Sequence, residues 1–179
     1  MRIYGLIGRN IDYSFSRSYF SKKFETEGIA AEYRNFDLQN LDGFKEMLQI
    51  NKNLQGANVT IPFKEEIISQ LDRLDPIARE IGAVNTIKIE KDGSHTGYNT
   101  DHHGFTESLR PHLKKEHKAA LILGTGGASK AVAYSLRQLQ IPYIFVSRRA
   151  GENRLAYEDL TTEIIRDHPL LINCTPLGT

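Results

Sequence analysis

Apolar and polar positions along this chain switch between a period of two and a period near 3.6, and the switches lay out the elements. Residues 2–8, with Ile3, Leu6 and Ile7, read as a first strand. Residues 11–16 form a loop rich in capping side chains, and Ser14 or Ser16 can cap a helix running to about Thr26. Phe15, Tyr19, Phe20 and Phe24 fall near helical spacing on it, and Gly28 ends it. A second strand is expected at 30–36 and a short amphipathic helix at 41–48, with Phe44, Met47 and Leu48 inward. Residues 57–61 read as a third strand. Pro62 cannot donate to a sheet ladder but suits a first helical turn, so the strand is expected to pass into a helix carrying Lys64. Helices follow at 64–71 and 76–81. The strand at 84–89 returns through the Asp92-Gly93 turn to a partner at 95–98. Residues 1–100 thus read as an α/β unit with a mostly parallel sheet.

A connecting amphipathic helix at 101–113, with Phe105 and Leu109 inward, leads to a second unit. There a buried, parallel-type strand at 118–123 meets a glycine-rich turn and a helix running to about Gln138, and strands follow at 141–146 and 170–174. The spacing is that of a βαβαβ half of a dinucleotide-binding fold. The expected division is 1–100 for substrate and catalysis, 101–117 as connector, and 118–179 as a partial Rossmann-type unit.

Composition adds limits rather than a function. The chain has 179 residues, 40% hydrophobic and 25% charged, as in ordinary globular proteins. A net charge of +1 points to no nucleic-acid partner. No apolar run approaches the length needed to span a bilayer, and the start lacks a signal-peptide pattern. Cys174 is the single cysteine, so no internal disulfide can form. A cytoplasmic protein without membrane contact is expected. The last strand-like run meets only a turn before Thr179, so the chain is also expected to lack a C-terminal part.

Chemistry enters at two places. In Gly124-Thr125-Gly126-Gly127-Ala128-Ser129, Gly124 permits a tight turn and Gly126 lets the backbone approach a pyrophosphate. Gly127 and Ala128 keep the helix N-terminus open for the anion. Ser147-Arg148-Arg149 then stands about where an NAD-binding protein places an acid against the ribose. Arginines there suit a 2′-phosphate, which favours NADP over NAD. The second place is a set of polar clusters at strand ends and helix starts: Ser14 and Ser16; Asn58 and Thr60 with Lys64; Asn85-Thr86; Asn99-Thr100-Asp101. Each has a plain alternative, and Asp101 in particular could simply cap its own helix. Together, hydroxyls and amides suit a polyhydroxylated ligand, and two serines at a helix N-terminus suit a carboxylate.

These segments, in order, resemble the successive motifs of the shikimate dehydrogenase family. They are Gly5-Leu6-Ile7-Gly8 with Ser14-Phe15-Ser16, Ala57-Asn58-Val59-Thr60-Ile61-Pro62-Phe63-Lys64, Gly82-Ala83-Val84-Asn85-Thr86, Asn99-Thr100-Asp101, the glycine turn, and Asn173-Cys174-Thr175-Pro176-Leu177-Gly178. The resemblance implies NADP-dependent reduction of 3-dehydroshikimate to shikimate, by a monomer or homodimer. It also implies that Ser14 and Ser16 hold the substrate carboxylate, that Thr60, Lys64, Asn85 and Asp101 bind its other oxygens, and that Lys64 and Asp101 are the catalytic pair. Gly124, Thr125, Gly126, Gly127, Ala128 and Ser129 would cradle the pyrophosphate, and Ser147, Arg148 and Arg149 the 2′-phosphate. No metal is implied.

Tyr13, Arg17, His102, Ser147, Arg149 and Thr179 depart from the residues common in the family, and none removes a proposed catalytic group. The family also draws a glutamine and part of its nicotinamide pocket from beyond this length, so poor activity is expected of 179 residues alone. The alternatives are an NAD-using quinate/shikimate dehydrogenase and a non-catalytic nucleotide-binding module.

Overall fold

Strand β1 (Arg2–Gly8) is the one on which the first sheet is built: it pairs in parallel with β2 (Ala31–Asp37) on one side and β3 (Leu54–Val59) on the other. The computed structural model describes residues 1–177 and divides into two units, Met1–Asn99 and Thr100–Thr179. The motif residue Gly178 and the departure at Thr179 lie outside the described residues.

In the first unit the six strands run β2-β1-β3-β5-β6-β4. Here β5 is Thr86–Ile89, β6 His95–Tyr98 and β4 the two residues Arg73–Leu74. Only β5 opposes the others, being antiparallel to both β3 and β6, so the sheet is mixed but mostly parallel. Alternation along the strands sends Ile3, Ile7, Ala57, Val59 and Ile87 to one face, and a register shift in β3 brings Leu54 to it as well; there they bury against Phe44, Met47, Phe63, Ile67 and Ala78. Phe44 and Met47 come from α2 (Phe44–Ile50), and Ala78 from α3 (Pro76–Ile81), which starts on the Asp75 cap. Leu6, Ile11 and Tyr33 face the other way, against Phe20 and Phe24 of α1 (Phe15–Thr26).

Two expectations change here. Phe15 and Tyr19 are exposed, so α1 offers the sheet two aromatic rings rather than four. The segment after β3 is not an α-helix: residues 61–65 turn, the Ile61–Pro62 peptide is cis, and a 3-10 helix follows at Glu66–Gln70. The Lys64 carbonyl accepts from the Val84 N–H at 2.7 Å, which takes it out of any helical ladder.

The second unit opens with α4 (Asp101–Leu109) and holds a wholly parallel sheet. Its order is β10-β7-β8-β9, with β7 Ala120–Leu123, β8 Tyr143–Ser147, β9 Arg154–Ala156 and β10 Leu170–Asn173. The sequence pattern takes the strand at 170 as the third; it is the fourth. β9 lies between, three residues starting with an arginine and too short to show a period. β10 therefore lies on the far side of β7, giving the 3-2-1-4 order of a dinucleotide-binding half, with its switch point between β7 and β10. Ala120, Ile122, Leu136, Ile141 and Leu170 form the core, with Phe105 and Leu109 of α4 packed on it. Helix α5 (Gly127–Gln138) is buried nearly all round, while α6 (Thr162–Asp167) starts on a Thr161 cap.

Candidate functional site

The loop after β1 is held by β2. Asp37 accepts from the Asn10 N–H at 3.0 Å and from the Ile11 N–H at 3.2 Å, and Asn35 Nδ2 donates to the Ile11 carbonyl at 3.0 Å. The Ser14 N–H then donates to the same carbonyl at 2.9 Å. These bonds place Ser14 as the N-cap of α1, where its Oγ accepts from the Ser16 N–H at 3.2 Å. The first turn holds no acidic residue, so the helix N-terminus stays positive. Asn35 and Asp37 were not legible as site residues, because their partners lie 24 to 27 positions away.

Thr60, Lys64 and Asn85 are tied together through the main chain. The Thr60 N–H donates to the Ile7 carbonyl at 2.9 Å, the Val59 N–H to Asn85 at 2.8 Å, and the Val84 N–H to Lys64 at 2.7 Å. All three candidates thus sit at the end of β3 and start of β5. A Cβ on Gly8 would lie 2.6 Å from the Thr60 methyl, so the close approach of β1 to this turn needs glycine there. Phe63, fully buried between Thr60 and Lys64, anchors the turn, and the Arg9 guanidinium lies over its ring at 5.4 Å.

A polar chain runs from Tyr33 to Asn85; its last three members stand in the polar clusters of the sequence, and Tyr33 does not. Tyr33 Oη donates to Asn58 Oδ1 at 2.8 Å, Asn58 Nδ2 to Thr86 Oγ1 at 3.3 Å, and Thr86 Oγ1 to Asn85 Oδ1 at 3.0 Å. Burial pushes the Tyr33 phenol up to about 12, against a smaller opposing effect of a hydrogen bond with Ser16. A cavity of about 560 Å³ opens on the α1 side of the sheet, between Phe20, Phe24, Gln55, Lys88 and Tyr98. Ser14, Ser16, Thr60, Lys64 and Asn85 do not line it. Its wall is mainly apolar, so the convergent polar groups define the candidate site and the cavity does not.

In the second unit Asp101 is the first residue of α4 and lies in its first turn. The Ser135 hydroxyl donates to the His102 carbonyl at 2.9 Å, and the His102 ring meets Tyr134 edge-on at 5.1 Å, which pins that turn to α5. At the end of β7, Gly124 takes φ +106°, and the Cys174 N–H donates to the Leu123 carbonyl at 2.8 Å. Helix α5 begins at Gly127 with no side-chain cap and no acid in its first turn. Thr125, Gly126 and Ala128 are exposed, and a Cβ on Gly126 would meet nothing within 4 Å. An uncapped, open helix start next to the switch point fits a pyrophosphate. The Ser129 hydroxyl is turned inward and donates to the Gly126 carbonyl at 2.7 Å, stiffening the loop. Ser147 ends β8 and bonds to the Arg149 main chain; Arg148 and Arg149 are exposed. Arg154, at the start of β9, has a buried Nε without a hydrogen-bond partner among the described residues.

No helix among the described residues is long and apolar enough to cross a membrane, and no group of three or more His, Cys, Asp or Glu among them could hold a metal ion.

Comparison with known proteins bears on both units. Residues 6–87 match the shikimate dehydrogenase substrate binding domain. A shikimate dehydrogenase (NADP(+)) of Clostridium botulinum is 37% identical over 185 residues, which cover 97% of this chain and 71% of that protein. The crystal structure of the Aquifex aeolicus shikimate dehydrogenase superposes with a TM-score of 0.84 at 34% identity, covering 99% of this chain and 70% of that one. The Thermus thermophilus enzyme, solved in complex with NADP(H) and shikimate, gives 0.82 at 29% identity, with 98% and 69% covered.

Proposed function

The chain belongs to the shikimate dehydrogenase family, and on that premise we propose that it catalyses the NADP-dependent, reversible reduction of 3-dehydroshikimate to shikimate, a step in aromatic amino-acid biosynthesis. One observation carries the proposal to particular residues: main-chain hydrogen bonds gather Thr60, Lys64 and Asn85 at one sheet end.

Ser14 and Ser16, at the N-terminus of a 12-residue helix, hold the substrate carboxylate. Thr60 and Asn85 hydrogen-bond its hydroxyls. Lys64 donates a proton to the carbonyl oxygen as negative charge builds there, and its positive charge stabilises that oxygen beforehand. In the reverse direction the same nitrogen takes the hydroxyl proton back. Asp101 is the carboxylate that acts with it. NADPH, when bound, supplies the hydride that reaches the carbonyl carbon. Main-chain N–H groups of Thr125, Gly126, Gly127 and Ala128 would hold the pyrophosphate, with Gly124, whose own N–H goes to the Val146 carbonyl, making the turn and Ser129 bracing the loop. Ser147, Arg148 and Arg149 take the 2′-phosphate. Functionally, residues 1–100 serve the substrate, 101–117 connect, and 118–179 serve the cofactor. A cytoplasmic location and a monomer or homodimer go with this reading.

The test is the appearance of NADPH absorbance when shikimate and NADP+ are added to the protein. Lys64→Ala should lower turnover by roughly 10²–10⁴-fold with little change in cofactor affinity. An unaltered rate removes Lys64 from the mechanism, and an unmodified protein that forms no NADPH and binds neither shikimate nor NADP+ overturns the proposal.

A further inference from the structure

The hydroxyl of Tyr33 has no task in the reaction as described, yet its surroundings give it one. The ring is buried with Leu6 and Ile11 and stacks on Phe20 at 4.8 Å between centroids. A phenol in such a cluster needs a hydrogen-bond partner, and Tyr33 finds one in Asn58. Its hydroxyl donates to Asn58 on β3 at 2.8 Å. The chain then continues through Thr86 to Asn85, crossing from β2 through β3 to β5.

The order of donors along this chain follows from counting protons. A hydroxyl has one proton to give, and a carboxamide accepts at one end and donates at the other. Tyr33 gives its proton to Asn58 Oδ1, so Asn58 must turn Nδ2 toward Thr86. Thr86 accepts there, so its own proton goes to Asn85 Oδ1. The carboxamide of Asn85 is thereby held with Nδ2 as the edge turned away from Thr86. With the phenol raised to about 12, Tyr33 stays a donor throughout the neutral range. Without that first donor, each amide downstream could flip.

We propose that Tyr33 is a positioning residue for the substrate: acting through Asn58 and Thr86, it sets Asn85 as a hydrogen-bond donor to a substrate oxygen. The inference rests on the functional reading above. Its chemistry is confined to binding, because the proton transfer is assigned to Lys64 and the chain's own groups only exchange hydrogen bonds.

Tyr33→Phe keeps the ring and its stack on Phe20 and removes only the oxygen. It should raise KM for shikimate about 3–10-fold, the worth of one neutral hydrogen bond, while kcat and the KM for NADP+ stay within about twofold. Thr86→Val cuts the same chain at its other end and should give a similar rise. The double variant should be no worse than the poorer single one, since both break one chain. An unchanged KM in Tyr33→Phe, a parallel fall in kcat with a lowered melting temperature, or multiplying effects in the double variant each overturn the inference. An unmodified protein that forms no NADPH and binds neither shikimate nor NADP+ would instead sink the functional reading itself.

Discussion

Asn35 and Asp37 show what a single side chain can do that its neighbours in sequence do not reveal. Both lie on β2, yet they hold the loop that aims Ser14 and Ser16. Lys64, Thr60 and Asn85 were legible because a lysine two positions past a strand-ending proline, or an amide beside a hydroxyl, is unusual by itself. Tyr33 was not legible: an aromatic residue in a β-strand is ordinary until its hydroxyl is seen bonded 25 residues away. Its titration gives a testable consequence. The phenol is raised from 10.0 to about 12 by burial, so its protonated form contributes stability that is complete below pH 10. That contribution is lost as the pH rises through about 12. Thermal unfolding of Tyr33→Phe should therefore fall less steeply than that of the unmodified protein over this interval. Equal slopes would show that the phenol does not titrate differently in the folded state.

Elements were predicted best where they are long and periodic. Helix α5 and strands β1 and β7 stand close to where the pattern puts them. β9 was lost because three residues carry no period, and losing it misnumbered β10. The helix expected after Pro62 gave way because a carbonyl it needed bonds to another strand-bound segment. The glycine turn allows a sharper experiment, since its glycines differ in what they tolerate. Gly124 combines φ +106° with a Cβ position 3.0 Å from the Cys174 carbonyl oxygen. Gly124→Ala should cost about 1–3 kcal/mol in urea unfolding. Gly126→Ala meets open space and should leave stability within about 0.5 kcal/mol. It should nevertheless weaken NADP+ binding, because the added methyl occupies the space assigned to the pyrophosphate. A stable Gly126→Ala protein with unchanged NADP+ affinity would place the anion elsewhere.

Over the whole molecule, two units each carry a core of their own. Cofactor choice belongs at this scale, since it decides which cellular pool of reducing power the enzyme draws on. Arg148→Ala should weaken NADP+ binding about 10-fold or more, as expected for a lost charge-assisted contact, and leave NAD+ nearly untouched. Calorimetric titration with each nucleotide separates the two, and an equal loss for both would assign Arg148 to the part they share. The sequence by itself determined the α/β class, the two-unit plan, the glycine turn and the set of polar residues, because these are written in local periodicity and in motifs a few residues long. Tertiary structure alone decided the strand order with its switch point between β7 and β10, the 3-10 geometry after Lys64, and the hydrogen-bonded chain from Tyr33 to Asn85. Each of these depends on groups distant in sequence finding one another, and a local pattern carries no record of which carbonyl or hydroxyl will be the partner.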